Sequence, residues 1–153
     1  MIPGSDGAGV VLSTGPSVSQ FSKGDKVVMH LAPGTEEDEL PTFEHILNGL
    51  GQKTDGTLTE YGVFHVSALV KLPSNLSFEQ AATLTCSGLT SWNALFGLRG
   101  RELKKGDWLL VQGTGGVSIA ALQVRKVIDT HTSFPLLPAK PSAHSSALRL
   151  AQQ

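Results

Sequence analysis

A single cysteine, Cys86, occurs in 153 residues. One thiol excludes an internal disulfide framework and any zinc site built from several cysteines. Charge is scarce too: Asp, Glu, Lys and Arg make up 16% of the chain, and the net charge is −1. A balance so close to zero offers no bulk attraction to nucleic acid or to an anionic membrane, so neither is an expected partner. No apolar run reaches the roughly 20 residues that span a bilayer. The opening MIPGSDGAG has neither a basic nor an apolar stretch, so a signal peptide is not expected. A cytoplasmic, reducing setting follows as the expectation.

What is present is a hydrophobic content of 40% and 17 glycines, in a length sized for one domain with a substantial core. Residues 9–14, 26–30, 56–66 and 68–72 read as β-strands, with glycine at most of the corners. Residues 31–57 read as a long surface loop holding a short helix near 43–50. Its acidic run of Glu36, Glu37, Asp38 and Glu39 reads as a solvated patch. The character changes at Pro73. Ser77 is placed to cap a helix whose N3 residue is Gln80, with Glu79 in the first turn favouring the positive end of the dipole. A second helix is predicted over 87–98, with Leu89, Trp92, Asn93 and Phe96 at helical spacing on one face. Trp92 and Phe96 read as core.

The most informative segment is WLLVQGTGGVSIAALQ, residues 108–123. An apolar run meets a glycine cluster, and a helix-compatible stretch follows. This is the strand, tight turn and helix start of a dinucleotide-binding βαβ unit. Gly113 permits the turn, and Gly115 lets the backbone approach a pyrophosphate. The helix start offers unpaired N–H groups to the anion. Gly113, Thr114, Gly115, Gly116, Val117 and Ser118 form G-x-G-G-x-S, with a small serine where the fingerprint usually ends in glycine. No GK[ST] follows, which removes the P-loop. From Val124 onward the pattern dissolves: Pro135, Pro138 and Pro141 recur every three residues, and a poorly ordered tail is expected, with a short helix possible only over 143–151.

In order, IPGSDGAGVV, FSKGDKVV, DGTLTEYGVF, VKLPSNLSFEQAATLTCSGLTSWNAL and LKKGDWLLVQGTGGVSIAALQ resemble successive blocks of the medium-chain dehydrogenase/reductase superfamily, in particular its zinc-type alcohol-dehydrogenase-like and quinone-oxidoreductase-like members. The match covers residues 2–123. It implies an α/β and β architecture: a partial GroES-like β-barrel domain over 1–76, then linking helices and the first βα unit of a Rossmann domain over 77–126. Residues 127–153 form a tail without family resemblance. Against the family pattern the chain is expected to be truncated at both ends. Val124-Arg125-Lys126 is also what a retained intron opening GTACGTAAG would encode.

The resemblance further implies hydride transfer with NAD(P), to or from an alcohol, enone or quinone, and a homo-oligomer in full-length relatives. The cofactor contacts it implies are Gly113, Thr114, Gly115, Gly116, Val117, Ser118 and Thr90, the last as the threonine that approaches the nicotinamide. The residue that reads the adenosine ribose should lie about 20 positions past the glycines. There the chain has SFPLLPAK and no acid, so NAD and NADP are not distinguished. Cys86 stands where zinc-dependent members place a ligand, but the histidine partner's position holds Ser5. No metal is therefore expected, and Cys86 reads as a small buried hydrophobe. His30, His45 and His65 lack metal-ligand spacing, and Glu60 with Tyr61 resembles a structural pair of the family. No catalytic acid or base can be named. Two readings stand: a zinc-independent NAD(P)-dependent oxidoreductase, and a catalytically inactive truncated product of the same gene that does not bind cofactor.

Overall fold

A computed structural model describes residues 1–35, 41–128, 131–133 and 147–150. The chain divides into two compact units, Met1–Cys86 and Ser87–Gln153. The division falls ten residues beyond the 76/77 boundary read from the sequence, because the helix that follows Pro73 packs on the strands of the first unit.

The first unit carries a three-stranded antiparallel sheet in the order β1 (Gly7–Val10), β2 (Lys26–Met29), β3 (Leu69–Lys71). Gly7 faces Met29 across the first pair, and Val27 faces Lys71 across the second. β1 starts and ends earlier than the 9–14 reading. Its register against β2 begins at Gly7, and after Val11 exchanges bonds with Asp25 and Gly24 the chain leaves the sheet. Val27, Val28, Leu50, Ala68 and Ala81 are buried. Helix α1 (Phe43–Leu47) falls where a short helix was expected. Its capping box joins Thr42 to His45, a pairing that a search for Glu or Gln at N3 passes over. Helix α2 (Phe78–Ala82) has the predicted box of Ser77 and Gln80.

Residues 56–66 do not form the expected strand. Gly56, Thr57 and Leu58 donate to Ile2, Gly4 and Pro3, but residues 61–65 run irregularly with Tyr61 and Val63 exposed. His65 then caps a single 3₁₀ turn, Val66–Ala68. β-rich composition alone did not supply a neighbouring strand for this stretch to pair with. Gly56 is required for a different reason: a Cβ there would sit 2.1 Å from the Gly4 carbonyl oxygen.

The second unit is built on β4 (Trp108–Val111) between β5 (His131–Ser133), parallel to it, and β6 (Ala147–Leu150), antiparallel to it. Helices α3 (Ser87–Phe96) and α4 (Gly116–Ile128) pack on each other. Leu95, Leu103, Leu109, Val111 and Ala121 form the core, with Phe96, Leu122, Val124 and Ile128 packed against it. Two sequence expectations change here. The face of α3 carrying Leu89, Trp92 and Asn93 is exposed, while Ser91 and Leu95 point inward. Trp92 is thus a surface residue, 57% exposed, its ring tilted against that of half-buried Phe96 with centroids 4.5 Å apart. Ser87 lies against Gly116 where the starts of α3 and α4 meet, and the small buried Ser91 rather than the larger apolar stripe takes the inward place.

The second change concerns the tail. Helix α4 continues unbroken through Gln123 and Val124 to Ile128, and two segments of the expected poorly ordered tail pair with β4 as β5 and β6. The helix considered for 143–151 is replaced, over 147–150, by β6. Each of these strands is short enough to draw its conformation from its partner rather than from its own pattern. The acidic run at 36–39 and most of the window that reads the ribose, 134–140, lie outside the described residues.

Candidate functional site

The glycine turn sits between β4 and α4. Gly113 has φ +78, in the left-handed region where side chains other than glycine are strained. The α4 ladder opens with Ile119 N–H donating to Gly115 O at 3.0 Å. The N–H groups of Gly116, Val117 and Ser118 precede that bond and have no partner within the helix. They point out of the helix start, where the macrodipole favours an anion.

Two neighbours hold this turn. A Cβ on Gly116 would lie 2.6 Å from Ser87 Oγ and 3.2 Å from Ser87 Cβ, so glycine is what lets the start of α4 meet the start of α3. Ser118 is fully buried, and its hydroxyl donates to the Gln112 carbonyl at 3.1 Å. The serine that ends the fingerprint therefore ties the first turn of α4 back to the end of β4. Its hydroxyl is committed to the fold. Thr90 lies on α3 and is exposed, next to Ser91, whose buried hydroxyl has no hydrogen-bond partner among the described residues. The six turn residues come together as one element, and Thr90 stands in the same unit on the helix packed against α4.

The polar residues near Cys86 are arranged differently from the expectation. Cys86 is exposed, because α2 has ended and the chain is passing into α3. The buried-hydrophobe reading is corrected accordingly. Asp6 is the hub of this region. Its carboxylate accepts from Ser5 Oγ at 2.5 Å and Thr85 Oγ1 at 2.6 Å, and its carbonyl accepts from Thr57 Oγ1 at 2.7 Å. The sequence reading missed Asp6; the signal was an acid flanked by a hydroxyl and followed by glycine, too common to stand out. Among the described residues no three His, Cys, Asp or Glu side chains gather as a metal site would require.

The histidines bond to hydroxyl and backbone groups. His30 Nε2 lies 2.7 Å from Ser67 O, and His65 Nδ1 lies 2.7 Å from Ser67 Oγ. His45 Nδ1 lies 3.5 Å from the Thr42 N–H that it caps. A groove of about 630 Å³ runs in the first unit along β1 and residues 57–66, with Glu60 and Tyr61 among its lining. Both are exposed, and no other acidic, basic or phenolic side chain lines the groove among the described residues.

In sequence and in fold the chain is similar to known proteins. Residues 1–74 match the alcohol dehydrogenase GroES-like domain. A zinc-type alcohol dehydrogenase-like protein of Schizosaccharomyces pombe is 46% identical over 123 residues, which are 80% of this chain and 35% of that protein. A solved NAD-dependent alcohol dehydrogenase superposes with a TM-score of 0.66 at 33% identity, over 87% of this chain and 40% of the other. A quinone oxidoreductase of Pseudomonas syringae pv. tomato superposes with a TM-score of 0.63 at 29% identity, over 86% and 34%. The chain thus spans little more than a third of the proteins it matches. No helix among the described residues is long and apolar enough to cross a membrane. By its matched domain, its relatives and its fold, the chain belongs to the medium-chain dehydrogenase/reductase superfamily.

Proposed function

We propose that this chain carries the pyrophosphate-binding turn of a NAD(P)-dependent oxidoreductase that works without zinc. The reaction would move a hydride between the nicotinamide and an alcohol, enone or quinone; one matched structure is named as an NAD-dependent alcohol dehydrogenase and another as a quinone oxidoreductase. The observation that carries this reading is the passage from β4 through Gly113, with its positive φ, into the N-terminus of α4, with a parallel β5 beside it. The residues fit the diphosphate end of a dinucleotide. Gly113, Thr114 and Gly115 would shape the turn, and the N–H groups of Gly116, Val117 and Ser118 would hold the anion. The nicotinamide supplies hydride chemistry when bound. Thr90 would orient it from α3.

Zinc does not fit the residues present. A catalytic site needs about three protein ligands. Ser5 holds the place of the resemblance's histidine, and its hydroxyl is engaged with Asp6, whose other oxygen accepts from Thr85. That leaves Cys86 as the only soft ligand of the region.

Titration of the chain with NADH and NADPH, followed by nicotinamide fluorescence, tests the proposal. Saturable binding is expected, weakened at least tenfold by Gly115→Asp, which sets a carboxylate and its bulk against the pyrophosphate, with the circular dichroism unchanged. A folded chain that binds neither nucleotide would sink the proposal and leave the catalytically inactive reading.

A further inference from the structure

β4 is the central strand of the second unit, and its two neighbours differ in sense. β5 runs parallel, as a βαβ crossover through α4 demands. β6 runs antiparallel, pairing all four residues of β4: Trp108 with Leu150, Leu109 with Arg149, Leu110 with Leu148 and Val111 with Ala147. In a doubly wound sheet the first strand is flanked by the second on one side and the fourth on the other, all parallel. β4 and β5 hold the places of the first and second strands. β6 therefore stands in the lane of the fourth, with its direction reversed.

Every backbone polar group on that side of β4 needs a partner, and an open edge recruits strands from other molecules. The need is acute here, because Leu109 and Val111 are fully buried and an unpaired β4 edge would lie beside the hydrophobic core. We infer that residues 147–150 act as an intramolecular edge cap: β6 occupies β4's second edge and blocks strand addition by a second copy of this chain. The contact is autoinhibitory toward self-association. It is also short, four residue pairs, so its release leaves the rest of β4's ladder with β5 in place.

The register makes the inference testable without unfolding the protein. Opposed residues of an antiparallel pair have Cα atoms about 4.5–5.5 Å apart, within the span of a disulfide. In the full chain carrying Cys86→Ser, the pair Leu110→Cys and Leu148→Cys is expected to form a bridge within one molecule under mild oxidation. The out-of-register pair Leu110→Cys and Leu150→Cys is expected to form it at least tenfold more slowly. Bridging only between molecules, or equal rates for the two pairs, overturns the assignment. Separately, Leu148→Pro with Arg149→Pro removes the ladder donor whichever of these two consecutive N–H groups faces β4, and is expected in dilute solution to raise the mass seen by light scattering to that of a dimer or more. The in-register disulfide variant should stay monomeric when oxidised and at the same concentration. An unchanged mass for the double proline variant overturns the capping role.

Discussion

Ser87 and Gly116 show how a pair of small residues decides a helix junction. Gly115 is the glycine proposed to approach a pyrophosphate, whereas Gly116 is constrained by Ser87. An added methyl would overlap the serine hydroxyl, and overpacking of this kind costs about 1–3 kcal/mol. Gly116→Ala is therefore expected to destabilise the second unit by about that amount. Ser87→Gly in the same chain removes both clashing atoms and should restore most of the loss. Denaturant unfolding of the two single variants and the double variant measures the coupling. Strictly additive effects would show that the junction is not what constrains Gly116. The buried hydroxyl of Ser118 belongs to the same logic: one hydrogen bond to Gln112 lets serine sit where the fingerprint asks for glycine.

Among the elements, those that close on themselves were legible in the sequence and those that depend on a distant partner were not. The box of Ser77 and Gln80 needs four consecutive residues, and the turn at Gly113 needs one left-handed glycine after an apolar run; both lie where the pattern puts them. The inward face of α3 is set by α4, so the stripe of Leu89 and Trp92 pointed to the wrong side. β6 was invisible because Ala147, Leu148, Arg149 and Leu150 make a strand only against β4. The site was legible as a turn, but Ser87 and Asp6 became visible only through contacts across 29 and 79 residues of sequence.

The join of β2 and β3 carries a pH prediction of its own. Asp25 accepts from the Ser22 N–H at 3.0 Å and meets Lys71 Nζ at 3.3 Å. These contacts, the backbone bond first, hold its carboxyl below the ordinary 3.8. Glu79 at the start of α2 is lowered likewise, by its own N–H and the Ser77 hydroxyl. A depressed carboxyl contributes stability that is complete above the ordinary carboxylate range and is lost as pH falls through the folded value. The stability gap between wild type and Asp25→Asn should thus be constant above about pH 5 and shrink below about pH 4. Denaturant midpoints measured from pH 6 to pH 3 read it directly; a gap that stays constant down to pH 3 would rule the contribution out.

At the scale of the whole molecule, low charge and exposed apolar side chains act together. The net charge is −1 and the isoelectric point is near 6.5, so copies of the chain repel one another weakly at neutral pH. Leu58, Tyr61 and Val63 stand exposed within six residues of one another in the first unit, with Val63 fully open to solvent. Such a patch drives association when no charge opposes it. Light scattering at pH 7 is expected to show a monomer in dilute solution and a mass that rises above it only at high concentration. Leu58→Glu together with Val63→Glu should bring it toward the monomer value, because the variant loses apolar area and gains two negative charges at positions whose burial contributes little to folding. Thermal unfolding of the variant should stay within about 1 kcal/mol of wild type, as for other exposed substitutions. If the mass is unchanged while the fold is retained, the patch does not govern self-association, and the β4 edge becomes the surface to test first.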